Sequence, residues 1–150
     1  MKEAIGNTYV LYFIISFLLI FILVFAGTTA YSKAFKVKNK IIDVIEYYDG
    51  AVESGGRLYN AIQSEITQKL GIIGYRIDPN TTSCPNTDGR FSNGTLLAKT
   101  NDGYRYCIYK FNDRRGRHYA VVAYAYLEIP IIGSKLDLPV YGETRTFLDI

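Results

Sequence analysis

The chain has 150 residues, enough for one domain at most plus a tail or an anchor. Hydrophobic residues make up 49% and aromatic residues 15%, which excludes a disordered chain. Two cysteines exclude a disulfide-dense miniprotein. A formal net charge of +3, from 17 basic against 14 acidic residues, argues against a strong nucleic-acid binder.

The apolar residues are unevenly placed. No charged residue occurs from Ala4 to Ser32. Tyr9 to Gly27 is a run of Tyr, Val, Leu, Phe, Ile and Ala with a closing Gly, interrupted only by Ser16. As a helix it would span about 28 Å, close to the roughly 30 Å hydrocarbon layer of a bilayer. It is longer than the 7–15-residue apolar region of a cleaved secretory signal. Being apolar on every face, it reads poorly as a core helix. The division expected is a short leader-like segment over 1–8, a transmembrane helix over 9–30, and a head with a helical stalk over 31–150.

From Tyr31 to Asp49 nothing breaks a helix. Ala34, Val37, Ile41, Val44, Ile45 and Tyr48 recur at three- and four-residue steps, the spacing of a buried stripe. Lys33, Lys36 and Lys40 share another face, and with Lys38 they form a juxtamembrane group that can meet anionic headgroups. Gly50 is expected to stop this helix. Glu53-Ser54-Gly55-Gly56 reads as a joint, with Ser54 a cap for a second helix over Arg57–Leu70. There Leu58, Ile62, Ile66 and Leu70 recur every four residues, and Gly71 ends the segment.

Asp78 to Gly89 is dense in turn formers and reads as a long surface loop. The rest reads as antiparallel sheet. Strands are expected over Tyr104–Phe111 and Tyr119–Leu127, joined by a hairpin loop Asn112-Asp113-Arg114-Arg115-Gly116-Arg117. Pro130 ends the second strand. Two short strands follow, Leu136–Tyr141 and Thr144–Leu148, separated at Gly142.

Cys84 falls in the turn-rich loop and Cys107 in a strand. A bond between them would stabilise by about 3 kcal/mol in the chain-entropy model. The other reading is two partly buried thiols; two thiolates and one distant His do not complete a metal site. Arg114, Arg115 and Arg117, beside His118, are the densest positive cluster: a contact for an anionic partner, or a solvated hairpin tip. His118 is the only histidine, and no phosphate loop, dinucleotide fingerprint or zinc-protease motif occurs, so no catalysis and no cofactor are expected. Orientation is read from two opposed signals. Lysines after the apolar run favour a cytoplasmic head by the positive-inside rule. Two cysteines in a small Tyr-rich β region favour an oxidising exterior, and the head is placed outside.

A short tail ending in Gly6, an uninterrupted apolar helix from Tyr9, an amphipathic extension and a closing β-rich head form a layout that resembles the type IV pilin-like proteins. The string Ala123-Tyr124-Ala125-Tyr126-Leu127-Glu128-Ile129-Pro130-Ile131-Ile132-Gly133, then Leu136 to Val140 and Gly142-Glu143-Thr144-Arg145, is similar to the end of TadE-like pseudopilins, minor components of tight-adherence (Flp-type) pilus systems. The resemblance implies a pilin-like α+β fold, partners among other pilin subunits and the assembly machinery, no catalysis, and processing by a prepilin peptidase between Gly6 and Asn7. The family's usual Glu at the fifth mature position is Leu11 here. The rival reading is a signal-anchored surface protein whose head binds an anionic polymer or partner through the arginine hairpin.

Overall fold

The structure is a computed structural model that describes residues 2–52, 57–73, 84, 91–99, 106–129 and 134–148. It is an α+β arrangement: a long apolar helix continues into a head built on a four-stranded antiparallel sheet. Helix α1 spans Lys2–Tyr47 without interruption, so the expected boundary at 30/31 falls inside one helix of about 69 Å. Thr28 and Thr29 do not break it, because both hydroxyls donate to the Phe25 carbonyl at 2.9 Å.

Only the second part of α1 is buried. Ala34, Val37, Ile41, Val44 and Ile45 are fully inaccessible, and Tyr48 just beyond is half-buried, as the three- and four-residue steps require. Lys33, Lys36 and Lys40 are exposed. Lys38 departs from the expected juxtamembrane group: it is buried, lies against β4, and holds its ammonium 4.1 Å from the Phe35 ring centroid. Its aliphatic stem covers apolar surface, which a charge-based reading cannot anticipate.

The helix ends in a Schellman cap. Asp49 N–H donates to the Glu46 carbonyl (3.2 Å) and Gly50 N–H to the Ile45 carbonyl (2.9 Å). The left-handed residue that turns the chain is Asp49 (φ 48°), with Gly50 following at φ 68°. Gly50 is required for a second reason: a Cβ there would lie 2.6 Å from Phe147 Cδ2 and 2.9 Å from Tyr119 Cε2.

Helix α2, Arg57–Gly71, buries Ile62, Ile66 and Leu70, while Leu58, the first member of the expected repeat, stays 43% exposed. The proposed Ser54 cap and most of the turn-rich loop lie outside the described residues. The sheet comprises β1 (Thr95–Lys99), β2 (Tyr106–Asp113), β3 (Gly116–Ile129) and β4 (Ser134–Glu143), neighbours in that order. One face turns Tyr106, Ile108, Tyr119, Val121, Ala123, Ala125 and Val140 toward the helices. The alanines let α1 approach β3 closely. Tyr106 donates to Gln63 of α2 (3.0 Å), so α2 lies over β2 beside α1. The opposite face carries Cys107, Tyr109, Ala120, Val122 and Tyr124 under Phe91, whose ring stacks on Tyr109 at 4.6 Å.

Three strand expectations need correction. Strand β1 was not legible as a strand. The loop between β2 and β3 is two residues, Arg114-Arg115, because Asp113 still pairs with Gly116. Finally, Leu136–Tyr141 and Thr144–Leu148 are not two strands split at Gly142. Strand β4 runs through Gly142, and Phe147 makes only an isolated bridge to Arg117. Glycine at 142 answers to packing: a Cβ would meet Lys38 Cδ at 2.6 Å and Ile42 Cδ1 at 2.8 Å.

Candidate functional site

The apolar part of α1 is the feature that needs a partner. Its most apolar stretch buries nothing within the chain, and it is the one described helix long and apolar enough to cross a membrane. Tyr9 and Phe13 are each 74% exposed, and the large apolar residues from Val10 to Phe25 are nearly all open. A soluble monomer rarely shows more than a few hundred Å² of contiguous apolar surface. By length and composition such a helix serves as a membrane anchor or as a signal sequence. Gly6 and Asn7 lie within its first turns.

At the far end of α1 a set of contacts fixes the helix to the sheet. The Tyr119 hydroxyl, in a fully inaccessible side chain, donates to the Gly50 carbonyl. Thr144 N–H donates to the Tyr119 carbonyl (2.9 Å), and Tyr119 N–H donates back to Thr144 Oγ1 (3.0 Å). Arg145 donates its backbone N–H to Glu46 Oε1 (2.9 Å) and its guanidinium to Asp49 Oδ1 (2.8 Å). Sequence reading missed this latch. Its members are far apart in the chain, and no local pattern marks them.

The arginine cluster is divided. Arg114 and Arg115 are exposed at the turn. Arg117 is half-buried on β3, exchanging backbone hydrogen bonds with Phe147 at 2.9 and 2.7 Å. His118 stacks on Phe111 at 5.0 Å, with Nδ1 3.7 Å from Asp113 Oδ2. The three arginines therefore do not form one solvated face.

Cys84 and Cys107 are joined as a disulfide with Cα atoms 5.9 Å apart, tying a residue well ahead of β1 to the inner strand β2. Several tyrosine hydroxyls are bonded within the head. Burial, with the neighbouring Tyr59, pushes Tyr106 up to about 12. Lys69 sits 2.8 Å from Glu65 Oε1 and Tyr48 donates to Oε2, and these two bonds hold the carboxyl below its ordinary range. Among the described residues no three His, Cys, Asp or Glu side chains converge as metal ligands.

No family model, curated protein or solved structure matches this chain.

Proposed function

We propose that the protein is a minor pilin or pseudopilin of a tight-adherence-type pilus, structural rather than catalytic, with its head on the extracytoplasmic side. One observation carries this reading: a single uninterrupted helix is bare and apolar in its first half and forms the spine of the head in its second half. A cleaved signal would not need that continuity. A subunit extracted from a bilayer and stacked with others through its helix would. In lipid, association of such helices is driven by close packing rather than water exclusion. Leu11 favours the isolated helix in the bilayer, since a carboxylate there would be costly. The disulfide suits an oxidising compartment. Partners would be other pilin subunits, the assembly machinery, a prepilin peptidase and the bilayer itself.

The rival, a signal-anchored binding protein using the arginine hairpin, has less support because Arg117 is withdrawn into β3. The test is the mature terminus. In cells carrying a prepilin peptidase, mass spectrometry should find the chain beginning at Asn7, and Gly6→Val should leave it uncleaved. A mature chain that still begins at Met1 and never co-purifies with pilin subunits would overturn the reading.

A further inference from the structure

Three of the four lysines of α1 beyond the apolar run stand on one exposed face. Ile22, Phe25, Thr29, Lys33, Lys36 and Lys40 follow at steps of three and four, so they lie one above the other along the helix, and all are exposed. The face changes character in one direction. Ile22 and Phe25 are apolar, 60% and 66% exposed. Thr29 bonds its hydroxyl to the Phe25 carbonyl (2.9 Å), and the lysines follow. Lys38 is turned elsewhere, its stem against Gly142 and its ammonium 4.1 Å from the Phe35 ring centroid.

The positive charge on this face is not balanced within the chain. No acidic residue occurs between Glu3 and Asp43. Asp43 is engaged by Lys40, at 3.6 Å. Among the described residues Lys33 and Lys36 form no ion pair. Being three residues apart on a helix, their Cβ atoms are about 5–6 Å from each other. Two ammonium groups so placed repel unless an anion stands between them.

Their height along α1 selects the anion. With Gly27 at the edge of the hydrocarbon, Lys33 stands about 9 Å beyond it, Lys36 about 14 Å and Lys40 about 20 Å. Headgroups occupy about 5–8 Å beyond the hydrocarbon on each side. A lysine stem can bend its ammonium back toward the interface, so Lys33 reaches the phosphate level. Lys36 is within roughly one Debye length of that level, about 8 Å at physiological salt. Lys40 lies further out and is already paired.

We propose that Lys33 and Lys36 form a binding site for the phosphate of an anionic phospholipid, and that Lys40 does not belong to it. The inference rests on α1 being a retained membrane anchor, as in the pilin reading, and adds the lipid on which the subunit stands. A phosphatidylcholine headgroup brings its own ammonium with its phosphate and has little to gain from two lysines. A phosphatidylglycerol headgroup carries no cation and gains the full attraction.

The test uses the full chain in phosphatidylcholine vesicles that contain acyl-brominated phosphatidylglycerol or, at the same mole fraction, acyl-brominated phosphatidylcholine. Cys84 and Cys107 are bonded to each other, so under non-reducing conditions Ile22→Cys takes a fluorophore at one place, on the lysine face and inside the apolar run. Both leaflets carry the same lipids, so the result does not depend on which way the chain inserts. Bromine quenching should report a several-fold enrichment of phosphatidylglycerol beside residue 22, lost at high salt. Lys33→Gln should lower the enrichment by up to about fivefold, Lys36→Gln by less, and the two together should abolish it. Lys40→Gln should leave it unchanged. So should Arg114→Gln combined with Arg115→Gln, because that hairpin lies at the far end of α1, where Arg117 pairs with Phe147 against Gly50. Equal quenching by the two lipids in the parent, or an enrichment that survives loss of both Lys33 and Lys36, overturns the lipid site and leaves the anchor standing. A fall with Lys40→Gln as large as with Lys33→Gln also overturns it, because the effect would then be one of overall charge. Absence of quenching by either lipid would put residue 22 outside the bilayer and overturn the anchor and the site together. Unchanged circular dichroism of each variant establishes that the comparison is made on the folded chain.

Discussion

Tyrosine hydroxyls decide much of how this head is held, and they do so by being bonded inside it. Tyr119 donates to the carbonyl of Gly50, a residue 69 positions earlier, and thereby closes the capped end of α1 onto β3. Tyr106 donates to Gln63 and is displaced upward to about 12 by burial and the nearby Tyr59. The sign of the pH effect follows. The folded chain holds this proton more firmly than the unfolded chain, whose tyrosines titrate near about 10. The contribution is therefore complete below about pH 10 and lost as pH rises toward 12. Tyr48 and Tyr109 are shifted in the same direction, by the bond to Glu65 and by burial respectively. Urea midpoints of the detergent-solubilised chain should therefore fall across that interval, and Tyr106→Phe should make the fall shallower. An equal slope in the variant would assign the alkaline loss elsewhere.

At the scale of elements, the helices were legible because their buried residues recur at three and four, and nothing in the tertiary structure overrides that spacing. The apolar run was legible for a simpler reason: none of it is fully buried, so no tertiary packing disguises it. The strands were harder. Thr95-Leu96-Leu97-Ala98-Lys99 lacks alternation, carries a register shift between Leu96 and Ala98, and leaves Leu96 40% exposed, so β1 has little strand signature. Asn112 to Arg117 reads as a six-residue loop because it has no Asn-Gly or Asp-Gly at its centre. Among the described non-glycine residues only Asp49 has positive φ, so Arg114 and Arg115 do not form a primed turn, and the chain is accommodated at Gly116 instead (φ 135°). A Cβ at Gly116 would come within 2.1 Å of the Phe147 carbonyl oxygen. Gly116→Val should cost about 1–3 kcal/mol from backbone strain alone, before that collision. Arg114→Ser and Arg115→Ser should each stay within about 0.5 kcal/mol of the parent. Thermal melting of the three variants checks this contrast. The reverse order would mean that the arginines, not the glycine, hold the turn.

For the whole molecule, the core of the head lies entirely at or beyond Ala34, and the bare rod contributes nothing fully buried to it. A chain beginning at residue 30 should therefore fold without detergent and keep the Cys84–Cys107 bond. It should also melt within a few degrees of the full chain, a shift that corresponds to about 1 kcal/mol or less. Size-exclusion chromatography and circular dichroism are the measurements, and an aggregated or unfolded product would show that the rod is part of the folding unit. The latch formed by Tyr119, Gly50, Thr144 and Arg145 is the part of this architecture that no reading of the sequence supplied. Its partners meet only once the sheet has turned the chain back to the end of α1.

The unbroken course of α1 has one more outcome. With no hinge between the bare half and the half clamped to the sheet, the two share a single azimuth. Whatever direction Phe21 or Phe25 faces around the helix axis, the disulfide-bearing face of the head points at a fixed bearing from it. One added residue between Gly27 and Ala34 would swing that bearing by about 100°. Any neighbour that gripped the bare half would thereby also set the direction in which the head faces.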